Sequence, residues 1–305
     1  MTAKLSWYRA TLLLGLAAAI AQVALGGVVR VTGSGDACPD WPLCHGQVIP
    51  PLDLNIWLEF SHRLSASALG VLVLIASVLA WRQVPRFQLS LIATGAALVL
   101  VVAAALLGGL TVLTELAWWA RLIHLALAEL VVACLAVAWL AGPPGPGSAA
   151  PRQDRSRLER KIGFATLAVL LGVIVFGSYM VGFNYGAACT SWPMCQGTRI
   201  PEGFAFIANM THRFTAALIA IPVFWLCYRA WIPGPAAGRA RWLAALAGGC
   251  TVAAILLGAL MVWLNFSALL RSLHLVIATL VWASTVGLVV VLCDPDRFRA
   301  RILVK

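Results

Sequence analysis

The stretch CPDWPLCHG runs from Cys38 to Gly46, and CTSWPMCQG runs from Cys189 to Gly197. Both carry two cysteines six positions apart, a Trp-Pro pair between them and a closing glycine. Ile49 and Pro50 recur at Ile200 and Pro201, so the offset holds at 151 from Cys38 to Pro50. One deletion between Pro51 and Glu59 reduces it to 150. Glu59 then maps to Asn209, His62 to His212, Arg63 to Arg213, Gly108 to Gly258, Arg121 to Arg271 and His124 to His274. Such self-similarity marks a tandem duplication.

The medium of each unit follows from composition. Of 305 residues, 62% are hydrophobic and 11% charged, and the mean hydropathy is +0.92. Soluble domains are about half apolar and about a quarter charged. Eight apolar runs are long enough to cross a bilayer, which takes about 20 residues. They cover 11–29, 64–81, 87–113, 122–141, 162–181, 204–228, 242–264 and 273–293. The second and sixth are expected to begin a turn or two earlier. The first follows Lys4 and Arg9 like a signal peptide, but its core exceeds the usual 7–15 residues, and it reads as a retained helix. The expected fold is an all-α polytopic membrane protein: eight transmembrane helices as two tandem pseudo-symmetric four-helix bundles. The units are 1–141 and 162–305, joined by a Pro-, Gly- and Arg-rich cytoplasmic linker at 142–161. An even number of spans gives both units one orientation, a parallel repeat about an axis normal to the membrane.

The net charge of +11 points to membrane lipid and not to nucleic acid, because the charges are placed by topology. Lys4, Arg9, Arg82, Arg86, Arg152, Arg155, Arg157, Arg160, Lys161, Arg229, Arg239, Arg241, Arg297, Arg299, Arg301 and Lys305 all fall on one side. By the positive-inside rule that side, with both termini, is cytoplasmic. The cysteine loops then face outward, where disulfides persist. Cys38–Cys44 and Cys189–Cys195 read as local disulfides; a zinc or copper site with His45 is the rival reading. Cys134, Cys227, Cys250 and Cys293 read as small apolar side chains.

Four of the five histidines belong to the repeat. His62, His124, His212 and His274 each lie just inside the outer end of an even-numbered helix. Ionisable groups within a span are functional candidates. Two histidines per unit are too few to enclose zinc, which takes about four ligands, but they suit the axial positions of a haem iron. Small residues one turn on (Ala66, Ala216, Ala128, Ala278) leave room for a flat macrocycle or for tight helix packing. Arg63 and Arg213 follow their histidines directly. Arg121 and Arg271 precede theirs by three residues and are the better candidates for anchoring haem propionates; snorkelling to the interface is the alternative. Glu59 breaks the repeat against Asn209, which marks the N-terminal unit as the place for proton handling. Its alternative is a salt bridge with Arg63. Glu129, opposite Thr279 in the repeat, is a second unmatched acid with no assigned role.

The run GGVVRVTGSGDACPDWPLCHG, then EFSHR and RLIHL, with CTSWPMCQG, MTHR and RSLHL in the second half, resembles the haem A synthase family. Its two loop cysteine pairs resemble the prokaryotic branches. The resemblance implies an oxidoreductase that turns the C8 methyl of haem O into a formyl group. The route is successive hydroxylations to a geminal diol, giving haem A for cytochrome oxidase. It implies that His62 and His124 hold the substrate haem with Glu59 important for activity, and that His212 and His274 ligate a haem b cofactor. It further implies a bacterial inner-membrane location with haem sites near the outer face. The implied partners are a haem O synthase as supplier, an unidentified electron donor and the assembly of cytochrome oxidase. Without the resemblance, a duplicated bis-histidine protein also fits a non-enzymatic di-haem b-type cytochrome or a haem carrier.

Overall fold

The computed structural model describes residues 3–82, 86–142, 157–196, 202–232, 237–292 and 301–302. Most of the expected linker, Cys293, several of the basic residues named above, and Gly197, Ile200 and Pro201 of the second loop lie outside the described residues. Eight helices carry the fold: α1 (Ala3–Val31), α2 (Leu54–Arg82), α3 (Gln88–Leu113), α4 (Trp118–Ala141), α5 (Arg157–Gly182), α6 (Phe204–Trp231), α7 (Ala237–Trp263) and α8 (Ala268–Leu292). All eight are long and apolar enough to cross a membrane. Among the described residues, β1 (Arg86–Phe87) pairs antiparallel with β2 (Arg301–Ile302), a two-residue pairing that the sequence did not announce.

Several helices outrun their apolar cores. α2 begins at Leu54, ten residues before its apolar run. Asp53 caps it, its Oδ1 accepting the N–H of Asn55 (2.9 Å) and of Ile56 (3.2 Å). The added turns carry Glu59, His62 and Arg63, whose partners lie inside the bundle. α5 begins within the expected linker, at Arg157. There Glu159 pairs with Arg229 from the end of α6 at 2.5 Å.

The repeat is visible in the turns. Glu115 and Leu116 after α3 have φ of 51° and 61°, and Asn265 and Phe266 after α7 have 52° and 54°. Two successive left-handed residues reverse the chain, and the N–H of Leu116 returns to Thr111 O (2.8 Å) as that of Phe266 does to Met261 O (2.8 Å). Both Trp-Pro bonds of the cysteine loops are cis.

Within the first unit α1 packs on α2 and α4, and α3 packs on α2 and α4; α5 to α8 repeat the scheme. The units meet through α4 against α8, with α1 crossing to α8 and α5 to α4. One apolar core runs through this seam, joining Leu12, Val132 and Leu135 to Val281 and Val286. Two polar ties cross it. Midway, Thr279 Oγ1 donates to Glu129 Oε1 (2.7 Å), and Trp282 Nε1 donates to the Glu129 carbonyl (2.7 Å). At the cysteine-loop end, Arg30 of α1 donates to Ser178 of α5, through its hydroxyl and its carbonyl (2.7 Å to the carbonyl).

Candidate functional site

His62 lies eight residues past the start of α2 and His124 six past the start of α4. At about 1.5 Å per residue both rings sit roughly 9–12 Å below the helix starts. Helix packing brings them together edge to face, with centroids 6.4 Å apart and planes at 66°. His212 on α6 and His274 on α8 repeat those positions and lie within electrostatic reach of each other.

Each ring is backed by a glycine on the neighbouring odd-numbered helix. A Cβ on Gly26 would stand 2.9 Å from His62 Cε1, and one on Gly177 3.0 Å from His212 Cε1. Gly108 and Gly258 stand behind His124 and His274 at 3.3 and 3.6 Å. Sequence reading had paired Gly108 with Gly258 and overlooked Gly26 with Gly177. Their offset of 151 was the available signal.

The spacing fits a metal held between two imidazoles. Metal–nitrogen bonds of about 2.0–2.1 Å, with a ring nitrogen roughly 1.1 Å from its centroid, put two such centroids about 6.4 Å apart. Among the described residues no cluster of three or more His, Cys, Asp or Glu could enclose an ion. A centre with only two protein ligands therefore needs its equatorial ligands from elsewhere, as a haem provides. His212 Nδ1 is buried without a protein partner.

The surroundings of the four rings differ. His124 Nδ1 lies 3.0 Å from Ala104 O. His62 instead faces Gln22 of α1, whose Nε2 is 3.0 Å from Nδ1, 3.5 Å from Nε2 and 2.9 Å from the His62 carbonyl. Beside His212 the ring of Phe176 lies 6.3 Å away.

Glu59 is buried and both its oxygens are engaged. Oε1 pairs with Arg63, and Oε2 accepts the Cys38 N–H at 2.8 Å. Asn209, its repeat-mate, also grips the segment before its loop, but with the opposite polarity: Nδ2 donates to Tyr185 O (2.8 Å) and Gly186 O (3.0 Å). This position thus has a loop-anchoring task in both units. Arg63 and Arg213 are loop clamps too. Arg63 donates to the carbonyls of Asp40 (2.6 Å), Leu43 (2.6 Å) and Cys38 (3.1 Å), and Arg213 to those of Ser191 (2.7 Å) and Pro193 (3.1 Å). Arg121 and Arg271 make no such clamp, and the Nε of each is buried without a partner. Arg121 and Arg271 both lie close enough to Arg30 for it to feel their charge.

Cys38–Cys44 and Cys189–Cys195 are disulfides, which removes the zinc or copper reading of the loops. Asp40 organises the first loop, accepting the N–H of His45 (2.6 Å) and Gly46 (2.8 Å). The Gly46 amide bond is the main cause that holds its carboxyl below the usual range. Ser191, its repeat-mate, does the matching task with a neutral hydroxyl that accepts the Gln196 N–H at 2.6 Å.

Known proteins resemble this chain in sequence. The Heme A synthase of Geobacillus kaustophilus is 30% identical over 227 residues, covering 72% of this chain and 70% of the relative. That of Symbiobacterium thermophilum is 30% identical over 230 residues, covering 73% and 75%. That of Rhodospirillum centenum is 29% identical over 296 residues, covering 78% and 75%. The profile of the family described as COX15-CtaA, cytochrome oxidase assembly protein, matches residues 9–286, a span that takes in both histidine pairs and both disulfide loops. The chain belongs to the COX15-CtaA family of cytochrome oxidase assembly proteins.

Proposed function

We propose that this chain is a haem A synthase, an oxidoreductase that acts on haem O. The observation that carries the reading is the facing pair His62 and His124, duplicated at His212 and His274, in a chain whose curated relatives are named Heme A synthase. His62 and His124 hold the iron of haem O as substrate. Two successive hydroxylations, each drawing on dioxygen, two electrons and two protons and releasing one water, would convert its C8 methyl to a geminal diol, which loses water to leave the formyl group of haem A. His212 and His274 hold a haem b, which supplies one-electron chemistry when bound. Arg121 and Arg271 anchor propionates at the loop end. Arg63 and Arg213 keep the two disulfide loops closed against α2 and α6. Glu59, a buried acid at the N-terminal site, is the group placed for proton handling there. Haem O synthase supplies the substrate, an electron donor outside the chain supplies reducing equivalents, and the product goes to cytochrome oxidase assembly. The units run to residue 141 and from Arg157, where α5 begins, in a bacterial inner membrane with both termini cytoplasmic and the loops outside.

The test is pigment extraction from cells that make haem O, with and without this chain. Haem A should appear only with the chain and disappear in His124→Ala. Unchanged haem types alongside two bound b-type haems would favour a di-haem cytochrome. Glu59→Ala should leave haem b bound and stop conversion; full haem A production would remove the proton-handling role.

A further inference from the structure

Among the described residues, Gln22 is the polar side chain hydrogen-bonded to His62 that the repeat does not preserve. Gln22 and Gly26 are four residues apart on α1 and share a face against the His62 ring. In the second unit their mates are Val173 and Gly177 on α5. The glycine survives at nearly the same distance from its ring, 2.9 against 3.0 Å, whereas the amide is replaced by an alkyl group. His212 Nδ1 has no partner there, and neither has His274 Nδ1.

The orientation of the Gln22 amide follows from its neighbours. The His62 carbonyl can only accept, so the atom 2.9 Å from it is the NH2 group. The amide oxygen accepts from Ser65 Oγ at 2.5 Å. The second N–H is then directed at the imidazole, nearest Nδ1 at 3.0 Å. A neutral imidazole has one N–H and one lone pair. Gln22 takes the lone pair, which is the same electron pair that a metal needs. At His124 the Ala104 carbonyl takes the N–H instead, at 3.0 Å, and leaves the lone pair free for the metal.

We propose that Gln22 makes His62 the exchangeable axial ligand of iron held at the N-terminal pair, with His124 the permanent one, so that the iron opens on the α1–α2 side. Gln22 is a positioning residue: it gives the released form of His62 a hydrogen bond that the ligating form gives up. A b-type centre that only carries electrons gains nothing from such a partner, and the unit assigned that task lacks it. The inference rests on the haem reading above.

The test uses the full chain carrying His212→Ala together with His274→Ala, loaded with ferrous protohaem and titrated with carbon monoxide, which binds only where an axial position opens. Gln22→Val should lower carbon monoxide affinity about two- to tenfold, the worth of one neutral hydrogen bond. In the complementary background, His124→Ala, Val173→Gln should raise carbon monoxide affinity at the C-terminal pair by a similar factor; this arm stands if Gln22→Val does not fold. In the first background, adding His62→Ala should retain protohaem as a five-coordinate species, whereas adding His124→Ala should lose it. Unchanged affinity in both arms, or retention in the reverse order, overturns the proposal while leaving the haem site intact. Failure of the chain carrying His212→Ala and His274→Ala to take up protohaem removes the N-terminal haem site, and this inference with it.

Discussion

Gly26 and Gly177 leave their histidines about as little room as two non-bonded atoms accept, while Gly258 leaves ordinary contact distance behind His274. The replaceability of the four glycines should follow that order. Gly177→Ala forces the His212 ring to move; overpacking of this kind costs about 1–3 kcal/mol, so on the haem reading proposed above haem retention at the C-terminal pair should fall about fivefold or more. Gly258→Ala, at 3.6 Å, should keep its haem, and the pyridine haemochrome content of the purified variants ranks them. Arg271→Leu removes a charged donor, and a lost charge-assisted bond of about 1.5–3 kcal/mol corresponds to a ten- to hundredfold loss of haem affinity. Arg271→Lys should lose less, because charge survives without the bidentate fork. Haem titration of stripped protein distinguishes these, and wild-type affinity in Arg271→Leu would place that side chain at the lipid interface. The histidines were legible because their identity survives duplication and is rare in an apolar span. The glycines recur just as faithfully, but a missing side chain has no chemistry to read until its neighbour is placed. Gln22 was hidden because its meaning lies in what replaced it, Val173, and the comparison of α1 with α5 carried no histidine to draw attention there.

The elements that hold the sites are the loop-end turns of α2 and α6, together with the loops they clamp. Asp40 and Ser191 perform one task with different chemistry, which gives the first loop a pH dependence the second lacks. The folded pKa of Asp40 is depressed, so its contribution is fully present above the usual aspartate pKa of about 3.9 and is lost as pH falls through the lower folded value. Protection of the His45 and Gly46 amides, corrected for intrinsic exchange, should therefore persist at pH 5 and fall only well into the acid range, and Asp40→Asn should abolish the dependence. Protection that declines between pH 7 and 5 would mean another group controls the loop. Sequence placed the apolar cores of all eight helices and expected α2 and α6 to begin a turn or two earlier. In the structure α6 begins at Phe204 with its apolar run, after Gly203, whereas α2 begins ten residues earlier, because Glu59, His62 and Arg63 find partners inside the bundle. Their partners are the loop carbonyls, the Cys38 N–H and α1, which only the folded bundle supplies.

For the whole molecule the seam between the units matters most, and it was the least legible part. An apolar span does not declare which face meets lipid and which meets protein, so the pairing of α4 with α8 had only Glu129 and Thr279 to signal it. Glu129 is fully buried, and its Oε2 has no partner. Glu129→Gln keeps a group that accepts from Thr279 and should change thermal stability in detergent little. Glu129→Leu removes the acceptor and should cost about 1–2 kcal/mol, read as a lower melting temperature with both haem contents initially unchanged. Equal melting of all three proteins would show that apolar packing alone holds the seam.

Positions 129 and 279 are also repeat-mates, so at this seam a site on the duplicated unit meets its own copy. Two identical subunits packed this way would set acid against acid, or hydroxyl against hydroxyl, since symmetry forbids a mixed pair. Joining the copies in one chain lifts that prohibition. One side can keep the carboxyl and the other the hydroxyl, and the same freedom lets Gln22 stand opposite a history of Val173. The covalent link is what allows two equal halves to take unequal work.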